Sequence, residues 1–295
     1  MDQPKLQKHF LLAVSSDQSY HYGTRFLGYF FQNKASCRVD LLSIVSHPEE
    51  SIENKSELHP EQLSKMQTSR QAQGRQVLQS AADKLESLGF VQDNLKANLH
   101  AKTFSTVQDL VFFAQKGLYD SLILGRRGIS LLENLFQDSV SSRVLDEQCN
   151  IPIWICREPR REKKDVLLCT DGSEPSLSIA DHVGFVLQDE PHHNVTILYA
   201  RSPKDNAYVD NIMHRTRERL TDNAVPESRI QQKVIQGRDA SQTILNYARE
   251  QNFAVLAMGR RGRDKQATGW RRLFMGSVSE AVLKNLNQAS LWIHQ

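Results

Sequence analysis

At 295 residues the chain is too long for the commonest single domain and suits two of about 150 residues each. Hydrophobic content of 39% beside 24% charged residues is that of a folded globular protein, which excludes overall disorder. A net charge of only +3 argues against a nucleic-acid partner, and the longest apolar runs, residues 10–14 and 151–156, are far short of a membrane span. With no apolar core for a signal peptide near the N-terminus, a cytoplasmic protein with no membrane partner is expected.

In chain order, residues 10–14 form an apolar run fit for a first buried strand, and a polar insert around residues 48–71 follows the second. Residues 112–115 fall in an amphipathic helical pattern. Residues 121–124 are a short apolar run that ends at Gly125-Arg-Arg-Gly128, and residues 151–156 close the first half as a terminal strand around Trp154. Cys37, Cys149, Cys156 and Cys169 show no metal-ligand spacing, so Cys149 and Cys156 read as packed thiols beside that strand. The charged stretch at residues 157–164 reads as a solvated linker, which divides the chain into residues 1–157 and 158–295.

The second half alternates regularly. Strands are expected at residues 166–170, 195–199, 230–235, 254–258 and 289–294, with helical spacing at 175–187, 211–220, 240–250 and 277–286. Pro191-His192-His193 reads as a surface turn. Strands separated by helix-length segments imply an α/β fold, a doubly wound parallel sheet with helices on both faces.

The two halves repeat one another. Gly125-Arg-Arg-Gly128 recurs as Gly259-Arg-Arg-Gly262, each after an apolar run. Leu135-Phe-Gln-Asp-Ser139 matches Leu273-Phe-Met-Gly-Ser277, and Trp154 matches Trp292. Upstream, residues 10–14 fall on 166–170, and residues 112–115 on 246–249. Several matches in one order make two copies of one domain in tandem.

Ligands of open α/β sheets bind at the carboxyl ends of the strands, near the switch in strand order. In the second half those ends carry Asp171, able to accept from a ribose hydroxyl or base amine, and Gly259-Arg260-Arg261-Gly262, followed by a loop and Gly276-Ser277-Val278-Ser279 entering a helix. Glycines allow close backbone approach, and helix N-terminal amides favour phosphate. Ser277 and Ser279 add hydroxyls, with Ser277 alternatively a helix cap; Asp171-Gly-Ser173 also fits a turn and cap. Arg126, Arg127, Arg260, Arg261, Arg263, Arg271 and Arg272 suit either phosphate neutralisation or a solvated rim. Glu174 near Asp171 has no accompanying nucleophile or base, so no catalytic set is assigned.

On these residues both halves resemble the universal stress protein family, which carries Gly-x2-Gly-x9-Gly-Ser/Thr after its fourth strand and an Asp after its first. The resemblance implies two adenine nucleotide alpha hydrolase-like domains whose last strands pair within the chain as a pseudo-dimer. It implies an ATP- or AMP-binding stress-response protein, with Mg2+ accompanying ATP, protein partners of unspecified kind, further self-association, and at most slow ATP hydrolysis. The nucleotide residues so implied are Asp171, Gly237, Gly259, Arg260, Gly262, Gly276, Ser277 and Ser279. Gly262 to Gly276 spans thirteen residues instead of nine, whereas the first half has nine but places Asp138 at the final glycine and Ser15 at the aspartate. Thr103 is expected at the position of Gly237. Nucleotide is therefore expected in the second half; a tandem protein holding another ligand, or acting as a scaffold, is the first alternative, and a weak ATP-hydrolysing enzyme the second.

Overall fold

The computed structural model describes residues 7–15, 20–51, 60–125, 150–202, 208–260 and 276–294. Ten strands form one sheet: β1 (Lys8–Ala13), β2 (Cys37–Val45), β3 (Leu95–Ala101), β4 (Ser121–Leu124), β5 (Ile153–Ile155), β6 (Val166–Cys169), β7 (Val195–Arg201), β8 (Ile230–Gln236), β9 (Val255–Gly259) and β10 (Ser290–His294). The described α-helices are α1 (Tyr20–Phe30), α2 (Pro60–Ser87), α3 (Thr106–Lys116), α4 (Glu174–Leu187), α5 (Val209–Asp222), α6 (Ala240–Glu250) and α7 (Ser277–Asn285). The apolar runs are continuous because parallel strands are buried on both faces. Phe10 and Leu12 point into one core with α1, α2, α4 and α5, and Leu11 points into the other with α3, α6 and α7.

Strand order is β3-β2-β1-β4-β5-β10-β9-β6-β7-β8, the same doubly wound half read twice in opposite directions. All pairings are parallel except that of β5 with β10, where Ile153, Trp154 and Ile155 face Ile293, Trp292 and Leu291. Pairing the two terminal strands removes two open edges from the middle of the sheet. Among the described residues only β3 and β8 are outer edges.

The seam is aromatic at its centre. The Trp154 and Trp292 rings stack at 4.0 Å and 7°. Phe26 of α1 and His182 of α4 flank the pair from equivalent places. Phe26 lies 6.0 and 6.2 Å from Trp154 and Trp292, and His182 lies 5.7 and 5.9 Å from them. The equivalence is a matter of register: Phe10 stands opposite Ser121 as Val166 stands opposite Val255, and Phe26 and His182 follow sixteen residues later. Trp154 Nε1 donates to His182 Nε2 at 3.0 Å, whereas Trp292 Nε1 has no hydrogen-bond partner among the described residues. Burial pushes the His182 imidazole down to about pH 3, aided by nearby His294, so the ring is neutral and accepts from Trp154.

Buried polar groups complete the seam. Glu190 is fully buried and accepts from the backbone amides of Gln32 and Asn33 at 2.9 and 3.1 Å. Lys8, also fully buried, meets Asp189 at 3.5 Å. His193 is not the surface turn that Pro191 and His192 suggest. Its ring stacks on Phe30 at 4.2 Å, and its nitrogens meet the Phe30 and Lys164 carbonyls at 2.9 and 2.5 Å. Desolvation lowers its pKa against the pull of those carbonyls and Glu190.

Two further expectations change. Residues 60–71 of the polar insert are the opening turns of α2, exposed on one side and half-buried at Leu63, Met66, Gln67, Arg70 and Gln71. The 157–164 linker is only partly solvated: Lys163 is buried and donates to the Gln288 carbonyl at 2.9 Å, Arg157 donates to Leu283 O, and Arg161 lies 4.9 Å over the Tyr29 ring. The Cys156 thiol is buried and raised by desolvation, as expected of a packed side chain; Cys149 lies outside the described residues. Among the described residues no helix is long and apolar enough to cross a membrane.

Candidate functional site

In the second half, strand order reverses direction between β6 and β9, where a doubly wound sheet opens a cleft. Their last paired residues are Cys169 and Met258. Asp171 and Arg260 each follow two residues later, so the switch point brings the first-strand aspartate beside the start of the glycine loop.

The turn after β6 is built by its own sequence. Asp171 Oδ1 accepts from Ser173 N at 3.0 Å and from Ser173 Oγ at 2.6 Å. Gly172 takes φ +78°, and a Cβ there would lie 2.7 Å from Ile212 Cγ1, so glycine is required for conformation and for space. Ser173 then caps α4, with Pro175 in its first turn. The turn-and-cap role of Asp171-Gly-Ser173 is therefore present, and Asp171 acts in it through Oδ1.

The glycine loop leaves β9 at Gly259. A Cβ here would sit 2.8 Å from Ser176 N and 3.0 Å from the Pro175 carbonyl carbon, so the glycine lets the start of α4 press against the end of β9. Its local reason is helix–strand packing. Arg260 is 2% exposed, which removes it from any solvated rim. Its backbone ties the loop ends together: its N–H donates to the His294 carbonyl at 2.6 Å, and its carbonyl accepts from Gly276 N at 2.8 Å and Ser279 Oγ at 2.7 Å. The two ends of the 261–275 segment are thus pinned side by side at the strand end. Gly262, Arg261, Arg263, Arg271 and Arg272 lie outside the described residues, as do Arg126 and Arg127.

Helix α7 begins at this junction. Gly276 is its N-cap with no side-chain cap, so Ser277 is the exposed first helical residue and not the cap. Ser279 is buried, and its hydroxyl is turned to Arg260 O. Of the eight sequence-chosen residues, Asp171, Gly259, Arg260, Gly276, Ser277 and Ser279 gather at the β6 and β9 ends.

Gly237 does not join them. It lies past the end of β8, two strands from β6, lining a depression of about 430 Å³ with Asp239, Thr243 and Tyr247. Asp239 caps α6 through Gln242 N at 2.9 Å, and bonds from Ser241 and Gln242 hold its carboxyl below the usual range. The first-half counterpart of Gly237 is Lys102, one residue before Thr103. Lys102 N donates to Val45 O as Gly237 N donates to Arg201 O, and both strand pairs are in register. Buried Asp109 then accepts from Thr103 N at 2.8 Å, so a carboxylate of the chain already occupies the amides of that first-half loop.

Lys8, His182 and Glu190, which the sequence did not single out, are seam residues together with His193, not cleft residues. Among the described residues no group of three or more His, Cys, Asp or Glu stands together as a metal site.

No curated protein matches the chain. Among solved structures, a universal stress protein from Archaeoglobus fulgidus DSM 4304 is 17% identical at a TM-score of 0.67, with 98% of each chain covered. A functionally unknown protein from Pseudomonas aeruginosa PAO1 is 14% identical at 0.53, covering 98% of this chain and 93% of its own. A universal stress protein family protein from Arabidopsis thaliana with AMP bound is 16% identical at 0.35, covering 50% of this chain and 90% of its own. The likeness to the first two spans both halves and shows a shared fold. Residues 163–293 match the model of the Universal stress protein family, so the second half of the chain carries a domain of that family.

Proposed function

We propose that the chain is a tandem of two universal stress protein domains, residues 1–157 and 158–295, acting as a cytoplasmic stress-response regulatory or protective protein. In this reading the second domain binds an adenine nucleotide, ATP or AMP, in the cleft between β6 and β9. The observation that carries it is the junction at Arg260: the glycine segment's ends are pinned at the strand terminus, next to Asp171 and to a helix N-terminus capped only by a glycine. Backbone amides at such an end favour phosphate, and the nearby aspartate suits a sugar hydroxyl.

The first domain serves as scaffold, because Ser15 replaces the aspartate and Asp138 the final glycine of the loop. Nucleotide acts by population shift, favouring one arrangement of the 263–272 segment and so one partner surface. In this reading turnover is at most slow hydrolysis, as the family resemblance implies. A second reading, a tandem scaffold without nucleotide, draws support from Ser279, whose hydroxyl is committed to Arg260 O and not offered to a ligand.

Calorimetry with ATP and with AMP on the intact chain, on Gly276→Asp and on Asp171→Ala tests the proposal. One site per chain, lost in Gly276→Asp and weakened about tenfold or more in Asp171→Ala, is expected. No heat with either nucleotide, and none co-purifying, would leave the scaffold reading.

A further inference from the structure

The outer faces of α3 and α6 occupy equivalent places and carry different chemistry. Their N-caps, Ser105 and Asp239, stand 134 residues apart, as do Asp120 and Ala254, whose amides donate to His9 O and Asp165 O. The register is thus the same at both ends of the two helices. Arg238, Gln242, Asn246 and Glu250 line one depression with Ile235. Their counterparts Phe104, Gln108, Phe112 and Lys116 therefore share one side of α3, beside His100, whose ring meets Phe113 at 4.7 Å. Phe104 is 70% exposed and Phe112 58%. Leu118, the counterpart of Asn252, is 87% exposed and takes φ +51°, a region that disfavours leucine. Packing asks for none of these three side chains. The buried side of α3 is Leu110, Val111 and Ala114, matched by Ile244, Leu245 and Ala248, and the second half builds the same helix with Arg238, Asn246 and Asn252 in their place.

We propose that this face of the first half docks on an anionic phospholipid surface. Its charge is one-sided. From Leu95 to Leu118 the chain holds Lys96, Lys102 and Lys116 and a single acid, Asp109, which is buried and held by the Thr103 and Phe104 amides. Lys96 is exposed and lies with His100 on the α3 side of β3. Lys116 lies 5.9 Å from the centre of the Phe112 ring, a cation beside an apolar anchor. A second copy meeting this face across a two-fold axis would set lysines against lysines. Apolar side chains more than half exposed project from the surface, and aliphatic Leu118 offers no ring on which a nucleic-acid base could stack. A headgroup layer suits both features: its phosphates meet the lysines, and its boundary with the acyl chains takes Phe104, Phe112 and Leu118. Docking of this kind needs no helix that crosses the membrane.

The test is co-sedimentation of the intact chain with vesicles of phosphatidylcholine alone and with vesicles in which about a third of the lipid is phosphatidylglycerol. Binding to the anionic vesicles is expected. It should weaken about tenfold or more in the double variant Phe104→Asn and Phe112→Asn, and about fivefold in Lys116→Gln. The altered side chains are exposed, so the melting temperature should not move. Equal sedimentation of the double variant, no preference for anionic over neutral vesicles, or no sedimentation at all overturns the proposal. So does self-association without vesicles, or a single-stranded oligonucleotide bound in preference to them, if the same double variant abolishes it.

Discussion

The neutral imidazole at the seam makes the join between the halves sensitive to acid. His182 is buried, accepts from Trp154 Nε1 at 3.0 Å, and has its pKa lowered from 6.5 to about 3. The unfolded chain takes up this proton near pH 6.5 and the folded chain does not. Stability is thus fully present above pH 6.5 and falls as pH drops toward 3. At about 1.36 kcal/mol per pH unit, the loss is about 2 kcal/mol at pH 5 and about 3 kcal/mol at pH 4. Carboxylates titrate in the same range, so the comparison needs a variant. His182→Phe copies the Phe26 position and has no proton to gain. It leaves Trp154 Nε1 unbonded, at a cost of about 1–3 kcal/mol at pH 7, but its decline between pH 6.5 and 4 should be shallower by the amounts above. Urea unfolding followed by tryptophan fluorescence at half-unit pH steps measures both slopes. Parallel slopes for the two proteins would refute the assignment of the acid response to this ring.

Gly259→Ala would press a methyl group to within 2.8 Å of Ser176 N, a backbone atom that moves only with α4, so a loss of about 1–3 kcal/mol in thermal unfolding is expected. An unchanged melting temperature would show that β9 and α4 are not held this closely. Glu190→Ala removes the buried acceptor of two backbone amides in the other half and should cost about 2–4 kcal/mol. Glu190→Gln, which keeps one acceptor oxygen, should lose less, and equal losses in urea midpoints would count against the hydrogen-bond account.

The strands of the second half were legible because parallel strands buried on both faces are written as unbroken apolar runs, and all five lie within about two residues of their sequence positions. The pairing of β5 with β10 was legible through the repeat and the resemblance. What failed to show in the sequence depends on contacts between distant segments. His193 lies in a Pro-His-His turn of polar character, and its partner Phe30 is 163 residues away. Residues 60–71 form a helix whose half-buried side carries Gln67, Arg70 and Gln71 beside Leu63 and Met66, so no apolar stripe gives it away. The Gly237 counterpart was misplaced by one because the first half has an extra residue between the strand end and the cap at Ser105, a stretch without periodicity. At the cleft, Asp171 and the glycine segment were legible by type and order. That Gly259 makes room for α4, and that Ser279 turns inward, follows from α4 and Arg260 lying against them, which no local pattern records.

The seam also explains why the halves are free to differ. In a homodimer of identical chains, every contact across a two-fold axis occurs twice, so a bond favourable on one side must be favourable on the other. Here the bonds run one way. Trp154 has a histidine acceptor and Trp292 faces a phenylalanine; Glu190 receives Gln32 and Asn33 while its register counterpart is Lys34; His193 reaches Phe30 while its counterpart is buried Cys37. Such one-sided pairs need two different partners held at unit stoichiometry, which fusion in one chain supplies. Once the join no longer depends on symmetry, the strand ends are released from it too. One half can close its β3–α3 loop on Asp109, while the other keeps Gly237 at the equivalent strand end.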